Sequence, residues 1–215
     1  MFRPYRIAAS LVALLILSAS LVGGCSSRAT TTSVEAPTTT PATLKTSGGK
    51  NVKTIYIAGG CFWGVEKYIA GVHGVVDAQV GYANGTSKSA TYGDGSGYAE
   101  AVKVDYDPSV APLPFLLGLF YDVIDPTSVN RQGNDVGLEY RTAIYFTDAA
   151  DKPVIEQSLA ELQKQLGQPI AIEHGPLANY TRAEDYHQKY LTKNPNGYCH
   201  IPRRLFDAAA AARPK

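Results

Sequence analysis

From position 52 onward, apolar positions recur with two periods that alternate along the chain. Residues 52–58 form an apolar run that predicts a strand, and Gly59-Gly60 turns the chain into a helix expected over 61–70. A second strand is expected over 75–82. Residues 101–106 (Ala-Val-Lys-Val-Asp-Tyr) alternate strictly and predict a half-buried third strand, ended by Asp107-Pro108. Residues 113–123 predict a helix entered at Pro114, and 140–146 a fourth strand. Over 151–166, Val154, Ile155, Leu159, Leu162 and Leu166 recur at helical spacing and mark one apolar face. A short strand near 170–173 and a helix over 182–192 complete the pattern. The βαββαβ order predicts an α+β fold, a two-layer ferredoxin-like plait with a mixed sheet and an irregular C-terminal extension.

The first 50 positions read differently. Arg3 and Arg6 precede an apolar run over 7–22, which ends in Gly23-Gly24-Cys25. A run this short, with small residues at its end, has the form of a signal peptide rather than a spanning helix. A cysteine directly after those small residues resembles the bacterial lipobox. That resemblance implies removal of residues 1–24 and acylation of Cys25, which would anchor the protein in a membrane by hydrophobic burial. An ordinary secretory signal or an uncut anchor are the alternatives. Residues 25–51 are rich in Thr, Ser, Ala and Pro and bury too little to offset chain entropy, so they are expected to form a flexible tether. The expected location is extracytoplasmic, on the cell membrane or the outer membrane of a bacterium. A catalytic domain is expected over 52–207 and an Ala-rich tail over 208–215.

Charge narrows the function. Twenty basic and 19 acidic residues leave a formal charge of +1, without a block of one sign, so a nucleic-acid partner has no electrostatic support. One Met against 14 Tyr fits an oxidant-exposed protein, whose packing loses little when thioethers are oxidised. With Cys25 assigned to the anchor, Cys61 and Cys199 remain. Cys61 stands at a strand-to-helix turn, where the free amides of the helix N-terminus favour thiolate, the nucleophilic form. Phe62 and Trp63 would set aromatic walls beside it, suited to an S-methyl group. A buried core cysteine followed by core aromatics is the competing account. Cys199 lies in Asn194-Pro195-Asn196-Gly197-Tyr198-Cys199-His200, an irregular segment whose thiol could reach a sulfenic acid. A static Cys61–Cys199 disulfide accounts for the same pair equally well.

Gly60-Cys61-Phe62-Trp63-Gly64 resembles the active-site signature of the peptide methionine sulfoxide reductase A family. Gly81-Tyr82-Ala83-Asn84-Gly85, Gly97-Tyr98-Ala99-Glu100-Ala101-Val102, the stretch from Asp125-Pro126-Thr127 through Asp135 to Tyr140-Arg141, and Tyr186-His187-Gln188 through Tyr198-Cys199 are similar to its other motifs, in the same order. The resemblance covers residues 53–201.

It implies the following roles. Cys61 attacks the sulfoxide sulfur, and Glu100 supplies the proton that makes the oxygen a leaving group. Tyr92 and Tyr140 donate hydrogen bonds to that oxygen, Phe62 and Trp63 hold the methyl group, and Asp135 assists the thiol chemistry. Cys199 resolves the Cys61 sulfenic acid, and a thioredoxin-like dithiol restores both thiols without metal or organic cofactor. The expected substrates are oxidised proteins carrying methionine S-sulfoxide, with free methionine sulfoxide a second candidate, and the expected state is a monomer. Glu66, one helical turn from Cys61, is expected at the surface or as a helix partner, and His187 in local packing rather than as a catalytic base. Tyr98 stands where the family commonly has His, Glu139 where Gln is common, and Asn84 replaces a Gly.

Overall fold

The computed structural model describes residues 51–87 and 89–214. The expected signal peptide, Cys25 and nearly all of the tether fall on residues 1–50, outside the described residues. Strand β1 (Lys53–Ala58) runs into helix α1 (Phe62–Ile69), and β2 (Val75–Ala83) and β3 (Ala99–Tyr106) follow. Helix α2 (Leu113–Tyr121) leads to a small hairpin of β4 (Arg131–Gln132) and β5 (Asp135–Val136). Then come a 3-10 turn at Leu138–Tyr140, β6 (Ala143–Phe146), α3 (Asp151–Leu166), β7 (Glu173–Pro176) and β8 (Tyr180–Arg182). Short helix α4 (Tyr190–Lys193) and α5 (Arg204–Ala211) close the chain.

The main sheet has the order β7-β6-β1-β3-β2-β8. Only β6 and β7 are parallel, and every other neighbouring pair is antiparallel, so the fold is mixed α+β with a mixed sheet. Side chains alternate across the pleat. Ile55, Ile57, Val80, Val102 and Val104 face the helices and form the main core with Phe62, Val65, Leu117, Phe120 and Ile155. Tyr56, Ala58, Ala83, Ala99, Ala101 and Tyr145 face the other way, where Leu177 and Tyr180 cover them.

Several boundaries differ from expectation. The helix expected over 182–192 survives only as α4. Lys189 sits in the left-handed region at φ 54° and interrupts the helix, while the Gln188 and Glu184 side chains bond to β2 rather than to solvent. The strand expected near 170–173 lies at β7 instead, because Ala171 N–H is bonded to Pro126 and pairing with β6 begins at Glu173. In α3, Ile155 and Leu159 are buried but Leu166 is exposed. The Ala-rich stretch from 208 is helical through Ala211, with Ala209 fully buried.

Candidate active site

Gly60 has φ +74°, and a Cβ there would meet Gln132 Cβ at 2.6 Å. Only glycine makes this turn, and it delivers Cys61 to the N-cap of α1. Cys61 is buried, with 7% of the residue exposed. The Trp63 backbone N–H points at the sulfur and favours its charged form. Burial and the neighbouring Glu100 outweigh that amide, and the thiol is held well above the usual range. The helix-terminal amide favours charge on the sulfur, but desolvation of the buried thiol exceeds it.

Glu100 is one step along β3 from Ala101, on the same face as the core residues Val102 and Val104. It is 2% exposed, and its Oε2 accepts the Phe62 backbone N–H at 3.0 Å. Burial first, then the charges of Asp135 and Glu139, push its carboxyl up to about 8, with the Phe62 N–H opposing. The acid is therefore neutral at pH 7, and it docks on the same helix terminus that carries Cys61.

The expected hydroxyls converge on this pair. Tyr140 ends the 3-10 turn and Tyr92 lies in the loop between β2 and β3, where their side chains hydrogen-bond each other. Both hydroxyls are held in the neutral, donating form, by burial first and then by Glu100. Tyr92 is 54% exposed, so it stands at the rim, and its backbone N–H donates to Glu184 Oε1 at 3.3 Å. Asp135 comes from the β4–β5 hairpin. Its Oδ2 accepts the Cys61 backbone N–H at 3.4 Å, and it also takes a hydrogen bond from the Tyr198 hydroxyl.

Phe62 is buried beneath the thiol turn, whereas Trp63 is only partly covered. The Trp63 indole N–H donates to His187 Nδ1 at 3.0 Å, which fixes His187 as an acceptor there and leaves its proton on Nε2. His187 thus orients an aromatic wall, as expected, and burial lowers its basicity. His200 lies against Asp135, with Nδ1 3.5 Å from Oδ2. Among the described residues, no imidazole nitrogen bonds the Cys61 sulfur, so a Cys–His dyad has no geometric support.

Cys199 and Cys61 are both free thiols. The Cys199 sulfur lies over the first turn of α1, where a Cβ on Gly64 would come within 3.0 Å of it. Neighbouring Ile201 is buried against the same turn. The resolving candidate is therefore packed beside the helix that bears the nucleophile.

A family model described as peptide methionine sulfoxide reductase matches residues 53–213. The chain belongs to that family. A peptide methionine sulfoxide reductase MsrA from Lachnoclostridium phytofermentans is 56% identical over 164 residues, covering 74% of this chain and 99% of that protein. Mxr1 from Saccharomyces cerevisiae in its reduced form matches with a TM-score of 0.67 and 36% identity, over 74% of this chain and 94% of that one. Mxr1 has also been solved in complex with Trx2, and that structure matches with a TM-score of 0.50 at 29% identity, over 69% of this chain and 90% of that one.

Within the reductase family, two departures noted in the sequence acquire a place. The Tyr98 hydroxyl accepts the Gly93 N–H at 2.8 Å and its ring packs on Tyr82, so it braces the loop that carries Tyr92. Glu139 adds a negative charge that raises the carboxyl of Glu100. Three features escaped the sequence reading. Glu66 is buried rather than at the surface. Gln132 joins Asp125 to Thr142 beneath the thiol turn. Arg141 donates to Gly97, Leu138, Asn84 and Glu173, tying the loops around the site together. The Gly133-Asn134 turn between two short polar strands was the one available signal for the hairpin.

Proposed function

We propose that the protein reduces methionine S-sulfoxide in oxidised polypeptides to methionine, with Cys61 as nucleophile and a thioredoxin-like dithiol as electron donor. The observation that carries this reading is the buried carboxyl of Glu100, pushed up to about 8 and bonded to the helix terminus that bears Cys61. A sulfoxide oxygen leaves poorly unless protonated, and a carboxylic acid kept neutral by burial can protonate it.

The resting state then holds two protons, one on the thiol and one on Glu100. As Cys61 Sγ attacks the sulfoxide sulfur, Glu100 gives its proton to the oxygen, and the carboxylate so formed takes the thiol proton. Tyr92 and Tyr140 donate to the oxygen as charge develops on it, Trp63 and Phe62 hold the methyl group, and Asp135 fixes the thiol backbone. Oxygen passes to the cysteine and methionine departs. The substrate sulfur gains two electrons, and Cys61 is left as sulfenic acid. The Cys199 thiol displaces the hydroxyl as water and forms a disulfide, which the external dithiol opens by exchange, ending as a disulfide itself. No bound cofactor enters this cycle. The Trx2 complex of Mxr1 supports a thioredoxin-type donor.

Three finer readings accompany it. The strand order β6-β1-β3-β2, antiparallel throughout with α1 and α2 as crossovers, supports a ferredoxin-like plait at the centre of the sheet. The run ending in Gly23-Gly24-Cys25 supports a lipid-anchored, extracytoplasmic protein. The catalytic unit is read as acting as a monomer.

The test is a single-turnover assay with separated R and S epimers of a methionine sulfoxide peptide. The S epimer should be consumed and the R epimer left. Cys61→Ser should abolish the first turnover, while Cys199→Ser should permit one turnover and accumulate sulfenic acid. Loss of that single turnover in Cys199→Ser would overturn the division of roles.

A further inference from the structure

Glu66 is a buried carboxyl that the cycle above does not use. It lies on α1 and is 2% exposed. Both of its oxygens accept the Lys189 backbone N–H, at 2.8 and 3.0 Å. Lys189 is in the left-handed region at φ 54° and is the N-cap of α4, whose first residue is Tyr190. The Tyr190 ring lies face-on to Trp63, with centroids 3.9 Å apart and planes 17° from parallel. Trp63 is gripped from a second direction by His187, through its indole N–H.

We propose that Glu66 is a positioning residue for the wall that receives the sulfoxide's S-methyl group, acting through Lys189 and Tyr190 on Trp63. This rests on the reading of Trp63 as part of that wall. The physical case begins with the backbone. A lysine with positive φ is disfavoured, and it holds that conformation only where surrounding contacts over-determine it. Among the described residues, the only side-chain acceptor on its N–H is Glu66. Burial pushes the Glu66 carboxyl up to about 7, against the opposing pull of the Lys189 N–H and the positive side chains of Lys189 and Lys193, with Asp77 adding to the rise. A carboxyl withdrawn from water for one backbone contact fixes the entry angle of α4, and that angle decides whether Tyr190 meets Trp63 flat or misses it. The link runs across a large sequence separation, so nothing local to Trp63 would replace it.

Trp63 is the only tryptophan, so intrinsic tryptophan emission reports on this wall alone. The experiment compares wild type with Glu66→Met, which keeps the length but offers no acceptor to the Lys189 N–H, Tyr190→Leu, Tyr190→Phe, the Glu66→Met/Tyr190→Leu double variant and Trp63→Leu. It measures steady-state kinetics on a methionine S-sulfoxide peptide, acrylamide quenching of Trp63, and melting temperature. Glu66→Met and Tyr190→Leu should each raise KM about three- to tenfold with kcat within about twofold, as expected when binding common to ground and transition states is lost. Both should make Trp63 more quenchable, Tyr190→Phe should resemble wild type, and the double variant should be no worse than Tyr190→Leu. A Glu66→Met protein with a lowered melting temperature but unchanged KM and quenching overturns the proposal, as do additive effects in the double variant. If Glu66→Met does not fold, Glu66→Asp, which keeps the charge and shortens the reach, gives the same comparison. Failure of the underlying reading is distinguishable, because Trp63→Leu would then leave KM unchanged.

Discussion

Two opposing influences meet at the sulfur of Cys61. The helix-terminal Trp63 N–H favours charge there, and burial beside a carboxyl disfavours it. In the proposed cycle the sulfur gives up its proton only as the substrate oxygen takes one from Glu100. Glu100→Gln keeps the shape and an N–H donor but no acid, so single-turnover kcat should fall about 10²- to 10⁴-fold with the protein still folded. Because the Glu100 carboxyl sits at about 8, wild-type rate should be level below that pH and fall as pH rises through it. A stopped-flow pH profile checks this, and Glu100→Gln should lose that limb. Gly64 offers a separate handle. Alanine is intrinsically better than glycine in a helix by about 1 kcal/mol, yet its methyl would press on Cys199 Sγ. The same methyl meets Ile201 Cδ1 at 3.3 Å, so Gly64→Ala should displace the arm and slow disulfide formation severalfold in a thiol-release assay.

The elements divide the labour. Sheet and helix α1 hold Glu100 and Cys61, the groups whose spacing must not vary, on rigid backbone. Tyr92, Tyr140 and Asp135 come from a loop, a 3-10 turn and a hairpin, tied down by Glu184 and Arg141. The C-terminal arm carries Cys199 and is pinned by Ile201, which is fully buried against the first turn of α1. Ile201→Ala should cost about 2–5 kcal/mol in denaturant unfolding if the arm melts with the domain. It should also slow the disulfide step while sparing the first oxygen transfer, measured by methionine release in one turnover.

For the molecule as a whole, the N-terminal segment and the catalytic unit answer to separate physics. Acyl chains on Cys25 would hold the protein at a membrane through buried methylenes, and the site chemistry draws on residues 60–200. Cys25→Ser should therefore move the protein from the membrane fraction to the soluble fraction, with its rate on a methionine sulfoxide peptide unchanged.

Much of this was legible in the sequence, because periodicity and turn chemistry are local. Alternation over 101–106 left Glu100 open to reading as a solvated edge charge, and only the family motif marked it as the acid; the fold buries it on the face of Val102 and Val104. The motif around Cys61 showed the helix terminus and the two aromatics. Long-range contacts decided the rest. Glu66 reads as an exposed helical acid until Lys189, 123 residues on, is folded against it. The region from 182 has helical composition but spends its side chains on β2, so only a fragment of helix remains. The proton state of Cys61 could not be read from helix position, since desolvation depends on what packs over the thiol from elsewhere in the chain. Sequence determined which groups are available and on which face each lies. Tertiary structure decided their charge and their partners, because both depend on water being excluded by segments distant along the chain.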